Sequence, residues 1–430
     1  MKKRWSFLLL VLLTTAQAPA ENWPGWRGPR GDGSSIEQDV PQRWNGKTGE
    51  NIVWKVAIPG AGHASPIVWK DRVFLVTAID RMQERALLCL DRNSGKTLWQ
   101  RTVLRAPMET KHNLNSFASS TPVTDGKLVY VTFLEVDGRT VPAPNVGRPR
   151  PITPGKMLVA AYDFEGHRKW LVRPGGFISA HGYCSCPVLY KDLVIVNGDH
   201  DGDSYIVALK KSTGETVWKV PRAHKTRSYV TPIIREIDGR TQMILSGSKS
   251  VISYDPSDGS QHWKIEGPTE QFVASMVYDG KLLFLAAGFP TYHVMGIRPG
   301  GNGDVTESHV AWHVKNAKCY VPSPIVLNNF LLVADDRGTA NCFNTTTGER
   351  AWQDRLGKHY SASLVSANGL AYLLADDGVM KLVRPGPAAD VVAENELGEF
   401  CYASPAISNQ QIFIRGEKHL FCIGEVPAGE

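Results

Sequence analysis

The sequence has little that points to catalysis or to nucleic-acid binding. Its 430 residues contain no Gly-x-Ser-x-Gly, Walker or dinucleotide-binding motif, and no pair of carboxylates stands out as an acid/base couple. No run of basic residues forms a nucleic-acid-binding stripe, although the formal net charge is +6. No segment beyond the N-terminus is apolar over the length of about 20 residues that a membrane span needs. We therefore assign no catalytic residue and expect no nucleic-acid partner.

Cysteine is sparse, and its spacing signals no metal site. The seven cysteines are odd in number and include no Cys-x-x-Cys pair, so neither a disulfide framework nor a zinc site is predicted. Cys89, Cys342 and Cys422 stand at the same place before a turn, and we expect them to be small buried apolar residues. The loop histidines discussed below show no His-x-His or i,i+4 pair, so no metal ligand is assigned.

The N-terminus has the pattern of a cleaved leader. Lys2-Lys3-Arg4 precede an apolar run at 5–13, and Ala16-Gln-Ala18 and Ala18-Pro-Ala20 offer small-x-small cleavage sites. The alternative, an uncleaved anchor, would need a longer apolar run to cross a bilayer. No cysteine lies near the cleavage sites, so lipid attachment there is not expected. We predict a signal peptide over 1–20 and a periplasmic or secreted protein.

Glycine, proline and tryptophan are plentiful, with 40, 27 and 12 residues. Many of the tryptophans fall in one recurring pattern, in which a turn glycine precedes the tryptophan by four positions. The pairs are Gly95 and Trp99, Gly166 and Trp170, Gly214 and Trp218, Gly259 and Trp263, and Gly348 and Trp352. Each pair predicts a tight turn followed by a strand, and the recurrence indicates an array of one supersecondary unit.

A second recurring feature is a Ser/Thr-Pro pair, or a variant of it, at the start of an apolar strand. These anchors are Ser65-Pro66, Thr121-Pro122, Cys186-Pro187, Thr231-Pro232, Ser275-Met276, Ser323-Pro324, Ser363-Leu364 and Ser404-Pro405. A short turn follows each anchor, and several of these turns are Asp-Gly or Asn-Gly, the strongest short hairpin signal. Each unit therefore reads as four short antiparallel strands, which is typical of a β-propeller blade.

The count of units predicts how the ring closes. The eighth anchor is followed by too little chain for a fourth strand, whereas 52–58, with Trp54, reads as a fourth strand without a blade. We predict an all-β, eight-bladed β-propeller over 51–425 whose last blade is completed by the N-terminal strand. Residues 21–50 form a Gly/Pro/Trp-rich extension pinned to the surface by Trp23 and Trp26. The tryptophans assigned to fastening blades are Trp54, Trp99, Trp170, Trp218, Trp263, Trp312 and Trp352.

The repeats resemble those of the pyrroloquinoline-quinone (PQQ) repeat superfamily of eight-bladed propellers. Asn344-Thr-Thr-Thr-Gly-Glu-Arg-Ala-Trp352 and Ser212-Thr-Gly-Glu-Thr-Val-Trp218 match its blade pattern. The resemblance covers about 51–424 and implies the fold. It implies little about function, because the tryptophans of the pattern pack between blades.

Polar and aromatic residues cluster in the loops that join blades, which share one face of a propeller. This funnel face surrounds one mouth of the axial channel. The candidate ligand or partner residues are His63, His112, Asn115, His181, Tyr183, Arg227, Tyr229, Lys318, Tyr320, His359, Tyr360 and Tyr402. One interpretation is a basic, aromatic-lined funnel for an anionic or planar ligand. The other is that the tyrosines pack between strand starts while the charges face solvent.

Two further segments stand out. Residues 136–155 form a Pro-rich, basic insertion on the funnel face, and it is a lid, a partner contact or tolerated extra length. Asp199-His-Asp-Gly-Asp203 resembles part of a calcium loop but lacks its twelfth-position Glu, so a hairpin turn is favoured. The paired acids Asp335-Asp336 and Asp376-Asp377 are also predicted to be turns.

Three functions are compatible with these features. The favoured one is an exported, non-catalytic monomer that binds an envelope protein or a ligand, as the resemblance to BamB-like scaffolds implies. The second is a PQQ- and calcium-dependent dehydrogenase acting on alcohols or sugars. Such enzymes are larger, and they commonly place adjacent cysteines over the cofactor, whereas here one residue separates Cys184 from Cys186. The third is a glycan-binding propeller.

Overall fold

The computed structural model describes residues 20–425, and the predicted signal peptide lies, apart from Ala20, outside the described residues. Eight antiparallel four-strand units follow one another along the chain and confirm the predicted propeller. The first strand of the chain, β1 (Ile52–Ala57), belongs to the last unit. In the other blades the strands follow chain order from the axis outward, so that short turns and longer loops alternate between the two faces.

The first four blades span β2 to β19. They consist of β2 (Ile67–Trp69), β3 (Arg72–Ile79), β4 (Glu84–Asp91) and β5 (Thr97–Arg105); β6 (Val123–Thr124), β7 (Leu128–Val136), β10 (Gly155–Asp163) and β11 (Arg168–Phe177); β12 (Val188–Tyr190), β13 (Leu193–Gly198), β14 (Tyr205–Lys210) and β15 (Thr216–Pro221); and β16 (Ile233–Ile237), β17 (Arg240–Gly247), β18 (Ser250–Tyr254) and β19 (Gln261–Glu266). A 3-10 turn, Asp80–Met82, joins β3 to β4. In the second blade, β8 (Val141–Pro142) and β9 (Pro151–Ile152) form a small hairpin within the predicted insertion.

The last four blades follow the same plan. They consist of β20 (Val277–Tyr278), β21 (Leu283–Ala287), β22 (His293–Ile297) and β24 (Val310–Val314); β25 (Ile325–Leu327), β26 (Phe330–Ala334), β27 (Thr339–Asn344) and β28 (Arg350–Arg355); β29 (Val365–Ala367), β30 (Leu370–Leu374), β31 (Val379–Arg384) and β32 (Asp390–Glu396); and β33 (Ala406–Ser408), β34 (Gln411–Arg415) and β35 (His419–Ile423) with β1. The strand β23 (Gly303–Asp304) adds a parallel edge to β19.

The ring closes as predicted, through pairing of the two ends of the chain. Strand β1 runs antiparallel to β35, with Trp54 opposite Cys422 and Val56 opposite Leu420. This pairing gives the last blade its fourth strand and covers the edge that β35 would otherwise expose. The closure is held by side chains as well, since Trp54, Phe413 and Cys422 belong to one buried cluster.

The repeated tryptophans fasten each blade to the next. Six of the seven donate the indole N–H to a backbone carbonyl in the outer turn of the following blade. These bonds are Trp54 to Arg92 (2.7 Å), Trp99 to Phe164 (2.7 Å), Trp170 to Lys211 (2.8 Å), Trp218 to Pro256 (3.2 Å), Trp312 to Thr345 (2.8 Å) and Trp352 to Gly386 (3.1 Å). Trp263 differs, since it donates to Oε1 of Gln242 in its own blade at 2.8 Å.

The turn glycine of each repeat completes the same contact from the other side. Gly95 has φ +69°, and a Cβ there would lie 2.7 Å from the ring of Trp54. Gly214 has φ +78°, and its Cβ would lie 2.7 Å from the ring of Trp170. The Gly-x-x-x-Trp spacing therefore joins two interfaces: the glycine receives the tryptophan of the preceding blade, and the tryptophan reaches the following one.

The Ser/Thr anchors form a hydrogen-bonded belt around the axis. The backbone N–H of one anchor donates to the side chain of the anchor in the next blade. The oxygen-accepted links, each of 2.9 Å, are Ser65 to Thr121, Thr231 to Ser275, Ser275 to Ser323, Ser323 to Ser363 and Ser363 to Ser404. Cys186 takes the same position with its sulfur, 3.2 Å from the N–H of Thr121. The anchors are small and polar because each must accept a hydrogen bond from its neighbour while it lies buried.

The extension at 21–50 crosses the end of the channel opposite the funnel face. It pairs Trp23 with Val68 through backbone bonds of 2.8 and 2.9 Å, and Gly33 accepts a bond of 2.9 Å from the N–H of Ser366. The fully buried guanidinium of Arg27 donates to the carbonyls of Ser323 and Pro324. Both tryptophans predicted to pin the extension contact the propeller: Trp23 is fully buried against the first blade, and Trp26 lines the axial channel.

Candidate binding site on the axis

A cavity of about 360 Å³ lies on the axis beneath the funnel face. It is bounded at its sides by belt residues, including Cys186, Thr231, Ser363 and Ser404, and by Trp26 of the extension. Seven of the candidate residues line it: His63, His112, Asn115, His181, Tyr229, Tyr320 and Tyr402. They come from loops far apart in sequence, and the closure of the ring brings them to one place.

The remaining candidates lie elsewhere. Tyr183 is buried and packs edge-on against Phe177, with ring centroids 5.0 Å apart. Tyr360 is also buried, in the apolar core between blades, so neither tyrosine faces the cavity. Lys318 is exposed. His359 is held by Asp376, whose Oδ2 lies 2.6 Å from its Nδ1.

The aromatic rings of the cavity are arranged in pairs. His63 and Tyr402 have centroids 4.5 Å apart and planes 33° from parallel, and His181 stacks on Tyr229 at 6.2 Å and 25°. His112 meets His181 edge-on at 5.3 Å. The two tilted or stacked pairs present flat surfaces on opposite sides of the axis, which suit a planar or ring-shaped ligand.

The cavity histidines are neutral at physiological pH. Burial, together with the charges of Arg415 and Lys111, lowers the pKa of His63 to about 4. Burial and the neighbouring Arg227 lower the pKa of His181 to about 3. The cavity is therefore lined by uncharged imidazoles that donate or accept hydrogen bonds, while the positive charges stand behind them.

This electrostatic arrangement predicts a pH dependence of stability. Between about pH 4 and pH 6.5 the imidazole of His181 is protonated in the unfolded chain but not in the folded protein. The unfolded state then binds more protons, so the free energy of unfolding decreases as the pH falls through this window. We expect His181→Gln to remove on the order of 2 kcal/mol of that decrease. Urea unfolding at pH 7 and pH 4.5 measures the change, and His167→Gln, at an exposed imidazole, is the control. If the free energy of unfolding changes equally between the two pH values in both variants, the prediction is wrong.

Two further cavities adjoin the axial one and share side chains with it. The rim cavity, of about 560 Å³, lies under the 136–155 insertion and shares His112, His181 and Tyr320 with the axial cavity. The side cavity, of about 320 Å³, lies toward blades eight and one and shares His63, Leu114, Asn115 and Tyr402. The axial cavity thus lies between the other two, and the three together are here called the trough.

The insertion is one wall of the rim cavity. Its Asn145 carbonyl accepts from Arg227 at 3.2 Å, and Arg150 donates to the carbonyl of Ala180 at 2.9 Å. The segment thus folds across the mouth of the funnel instead of projecting freely into solvent. Arg227 itself is buried and paired with Asp201, whose Oδ1 lies 2.8 Å away.

The Asp199–Asp203 segment is a turn between β13 and β14, as predicted, and two of its three acids are bound by arginines, while Asp203 pairs with Lys225. Asp199 is fully buried, 2.9 Å from Nε of Arg222, and it accepts from the hydroxyl of Ser228 at 2.9 Å. Asp201 pairs with Arg227. These carboxylates set the position of the loops around the funnel.

Sequence reasoning missed several residues of the site. Asp336, predicted only as a turn residue, is the carboxylate that lines the axial cavity, and Cys184, Leu114 and Trp26 line it too. Cys184 is the partly exposed one of the seven cysteines, all of which are free thiols, and Cys89, Cys342 and Cys422 are buried as predicted. The Cys184-x-Cys186 spacing could have identified Cys184 as a cavity residue, because alternate residues of an extended segment point the same way and Cys186 is one of the anchors.

A family model described as "Outer membrane protein assembly factor BamB" matches residues 42–141 and 83–284, which together are more than half of the chain. The chain belongs to this family. The BamB-family assignment agrees with the blade pattern and confirms the resemblance to PQQ-repeat propellers. No curated protein matches the chain.

Solved structures show the same fold at low identity. BamB from Moraxella catarrhalis matches with a TM-score of 0.60 and 13% identity, over 88% of this chain and 98% of that one. A europium-containing methanol dehydrogenase matches with a TM-score of 0.59 and 12% identity, over 93% and 90% of the two chains. The computationally designed Ika8 protein matches with a TM-score of 0.52 and 12% identity, over 92% and 99%. This BamB-family propeller thus shares its architecture with a BamB protein, a methanol dehydrogenase and a computational design, and the architecture alone does not select a function.

Proposed function

We propose that this BamB-family protein is an exported, monomeric, non-catalytic module that binds an envelope partner or ligand through its funnel face. The observation that carries the proposal is the trough: three adjoining cavities open on one face, while the extension crosses the opposite end of the channel. The leader pattern at 1–20 supports export to the periplasm or the exterior. Within residues 20–425 no helix has the length and apolar character of a membrane span.

Exposed apolar side chains on the funnel loops support a binding role for this face. Leu114 is 47% exposed and lines the axial and side cavities, and Phe400 is 53% exposed on the loop between the last two blades. Large apolar side chains with this exposure on a binding face are typical of residues that become buried on association.

Charge placed on these side chains is expected to abolish partner binding. Leu114→Asp and Phe400→Asp should each lower the retention of envelope proteins on immobilised protein at least about tenfold, because burying an unpaired carboxylate opposes association. Retention is measured by quantitative mass spectrometry of proteins captured from an envelope extract.

Val217→Asp is the matched control, since Val217 is 51% exposed but lies on the outermost strand of its blade. Capture that falls equally in all three variants, or in none, would overturn the assignment of binding to the funnel face.

A PQQ- and calcium-dependent dehydrogenase is the alternative, and the cavity residues do not fit that cofactor pair. Calcium takes six to eight oxygen ligands, usually several of them carboxylates. Asp336 is the single carboxylate lining the axial cavity, and no cluster of three His, Cys, Asp or Glu within residues 20–425 is spaced to hold a metal ion. The one tryptophan of the cavity, Trp26, comes from the extension at the opposite end of the channel. We derive no reaction through PQQ.

Titration with PQQ and calcium tests this alternative directly. We expect no shift of the quinone absorbance and no alcohol- or sugar-dependent dye reduction. Saturable binding together with turnover would replace the binding role with an enzymatic one.

A further inference from the structure

The charge of the trough is uneven, and the imbalance is concentrated in the rim cavity. Its lining includes Arg148, Arg150 and Arg227 and no carboxylate. Asp201 neutralises Arg227, whereas within the described part of the chain neither Arg148 nor Arg150 has a carboxylate within salt-bridge distance. The side cavity at the other end is mixed, with Lys111 beside Asp80 and Glu417. One end of the trough therefore attracts negative charge.

Arg150 and Arg227 are held in place at the rim cavity. Arg150 is tied to the carbonyl of Ala180, and the insertion that carries it is fixed by Asn145, whose carbonyl accepts from Arg227 and whose side chain donates to the carbonyl of Lys225. The Nε of Arg227 is buried without a hydrogen-bond partner in the described structure. A guanidinium that is oriented and not neutralised binds carboxylate or sulfate oxygens in pairs.

The rest of the trough has flat rings and side-chain amides instead of apolar pockets closed at one end. The tilted pair of His63 with Tyr402 and the stacked pair of His181 with Tyr229 lie on opposite sides of the axis. Amide groups lie along its length: Asn145 and Gln271 are in the rim cavity and Asn113 is in the side cavity, whereas Asn115 at the centre is already hydrogen-bonded to the carbonyl of His181 and to Ser119. Ring faces and bidentate amides are groups that pack against sugar rings and hydrogen-bond to their hydroxyls.

We propose that the trough binds a linear acidic oligosaccharide, with a negatively charged sugar at Arg148 and Arg150 and the following rings along the axial and side cavities. The proposal rests on the binding role inferred for the funnel face and names its ligand class. A linear polymer is favoured over a compact ligand because the three cavities adjoin one another in a row along the face, with the axial cavity in the middle. A saccharide is favoured over an extended peptide because the trough is formed by loops and offers no exposed strand edge for main-chain pairing.

Titration calorimetry of the full mature chain tests the proposal with two probes of equal length. A tetramer of galacturonate is expected to bind at least tenfold more tightly than neutral cellotetraose at low salt, and the difference should shrink as salt is added. Arg148→Gln combined with Arg150→Gln should reduce the affinity for the uronate about tenfold or more and leave that for cellotetraose unchanged. Arg139→Gln is the matched control, because Arg139 lies in the same insertion but does not line the trough. Equal affinities for the two probes, or equal losses in the two arginine variants, would overturn the proposal.

Histidine imidazole NMR locates the ligand and separates this inference from the proposed function. Bound uronate should shift the His112 and His181 signals and leave the signal of exposed His167 in place. Binding that leaves the trough histidines unchanged would also overturn the proposal. If no uronate binds while envelope capture still depends on Leu114 and Phe400, the ligand class is wrong and the binding face stands; if capture is also independent of those residues, both inferences are wrong.

Discussion

Replacing Trp54 by alanine is expected to lower the free energy of unfolding by about 3–5 kcal/mol, the range for removal of a buried aromatic side chain. Trp54 is 8% exposed, packs near Phe413 and donates to the carbonyl of Arg92. It lies on β1, the strand that closes the ring, so its loss weakens both the last blade and the contact between the last and first blades. Urea unfolding followed by far-UV circular dichroism measures the change.

Val53→Ala is the control for Trp54→Ala. Val53 is the preceding residue on the same strand, and it is 37% exposed, so its truncation should cost no more than about 0.5 kcal/mol. Similar unfolding midpoints for the two variants would show that β1 does not close the ring in solution.

Alanine at Gly95 is expected to destabilise the protein by about 2–5 kcal/mol. Two costs combine: a left-handed backbone without glycine costs about 1–2 kcal/mol, and overpacking costs about 1–3 kcal/mol. Gly95 has φ +69°, and the added Cβ would meet the Trp54 ring at 2.7 Å. Gly239 has φ +70° and open space around its Cβ, so Gly239→Ala carries the backbone cost alone.

The two positions also make a double-mutant cycle possible. If Gly95 is needed because of the indole, then Gly95→Ala should cost clearly less in the Trp54→Ala background than in the wild-type protein, although Cγ1 of Val56, 2.8 Å from the added Cβ, keeps the cost above that at Gly239. Additive costs at positions 54 and 95 would refute the paired role of glycine and tryptophan at blade interfaces.

Much of the fold could be predicted because the blade signal is local. A turn glycine, a tryptophan four residues later and an anchor before an apolar strand lie within one unit, and strand periodicity operates over a few residues. The pairing of β1 with β35 was predictable from the strand count, since the last unit lacked its fourth strand and the N-terminal strand belonged to no other unit. The turn at Asp199–Asp203 was predictable from its composition, although its pairing with Arg222 and Arg227 was not.

The site was predictable in part. Position in an inter-blade loop placed His63, His181 and Tyr402 near the axis, and they do line the cavity. The same rule failed for Tyr183 and Tyr360, which turn into the core, because a loop has no fixed period from which the direction of a side chain follows. Asp336 was missed for the same reason. The sequence predicted a turn at Asp336, but it did not predict that the side chain points into the cavity.

The repeat pattern alone established the blade type, their number and the partner of the terminal strand, because each depends on short-range spacing and on a count. The tertiary structure decided which loop residues meet on the axis, how the 136–155 insertion walls the rim cavity, and that the extension crosses the far end of the channel with Trp26 in it. These depend on contacts between residues that are hundreds of positions apart, such as Arg27 with Ser323. Such contacts arise only when the ring closes, and no local periodicity encodes them.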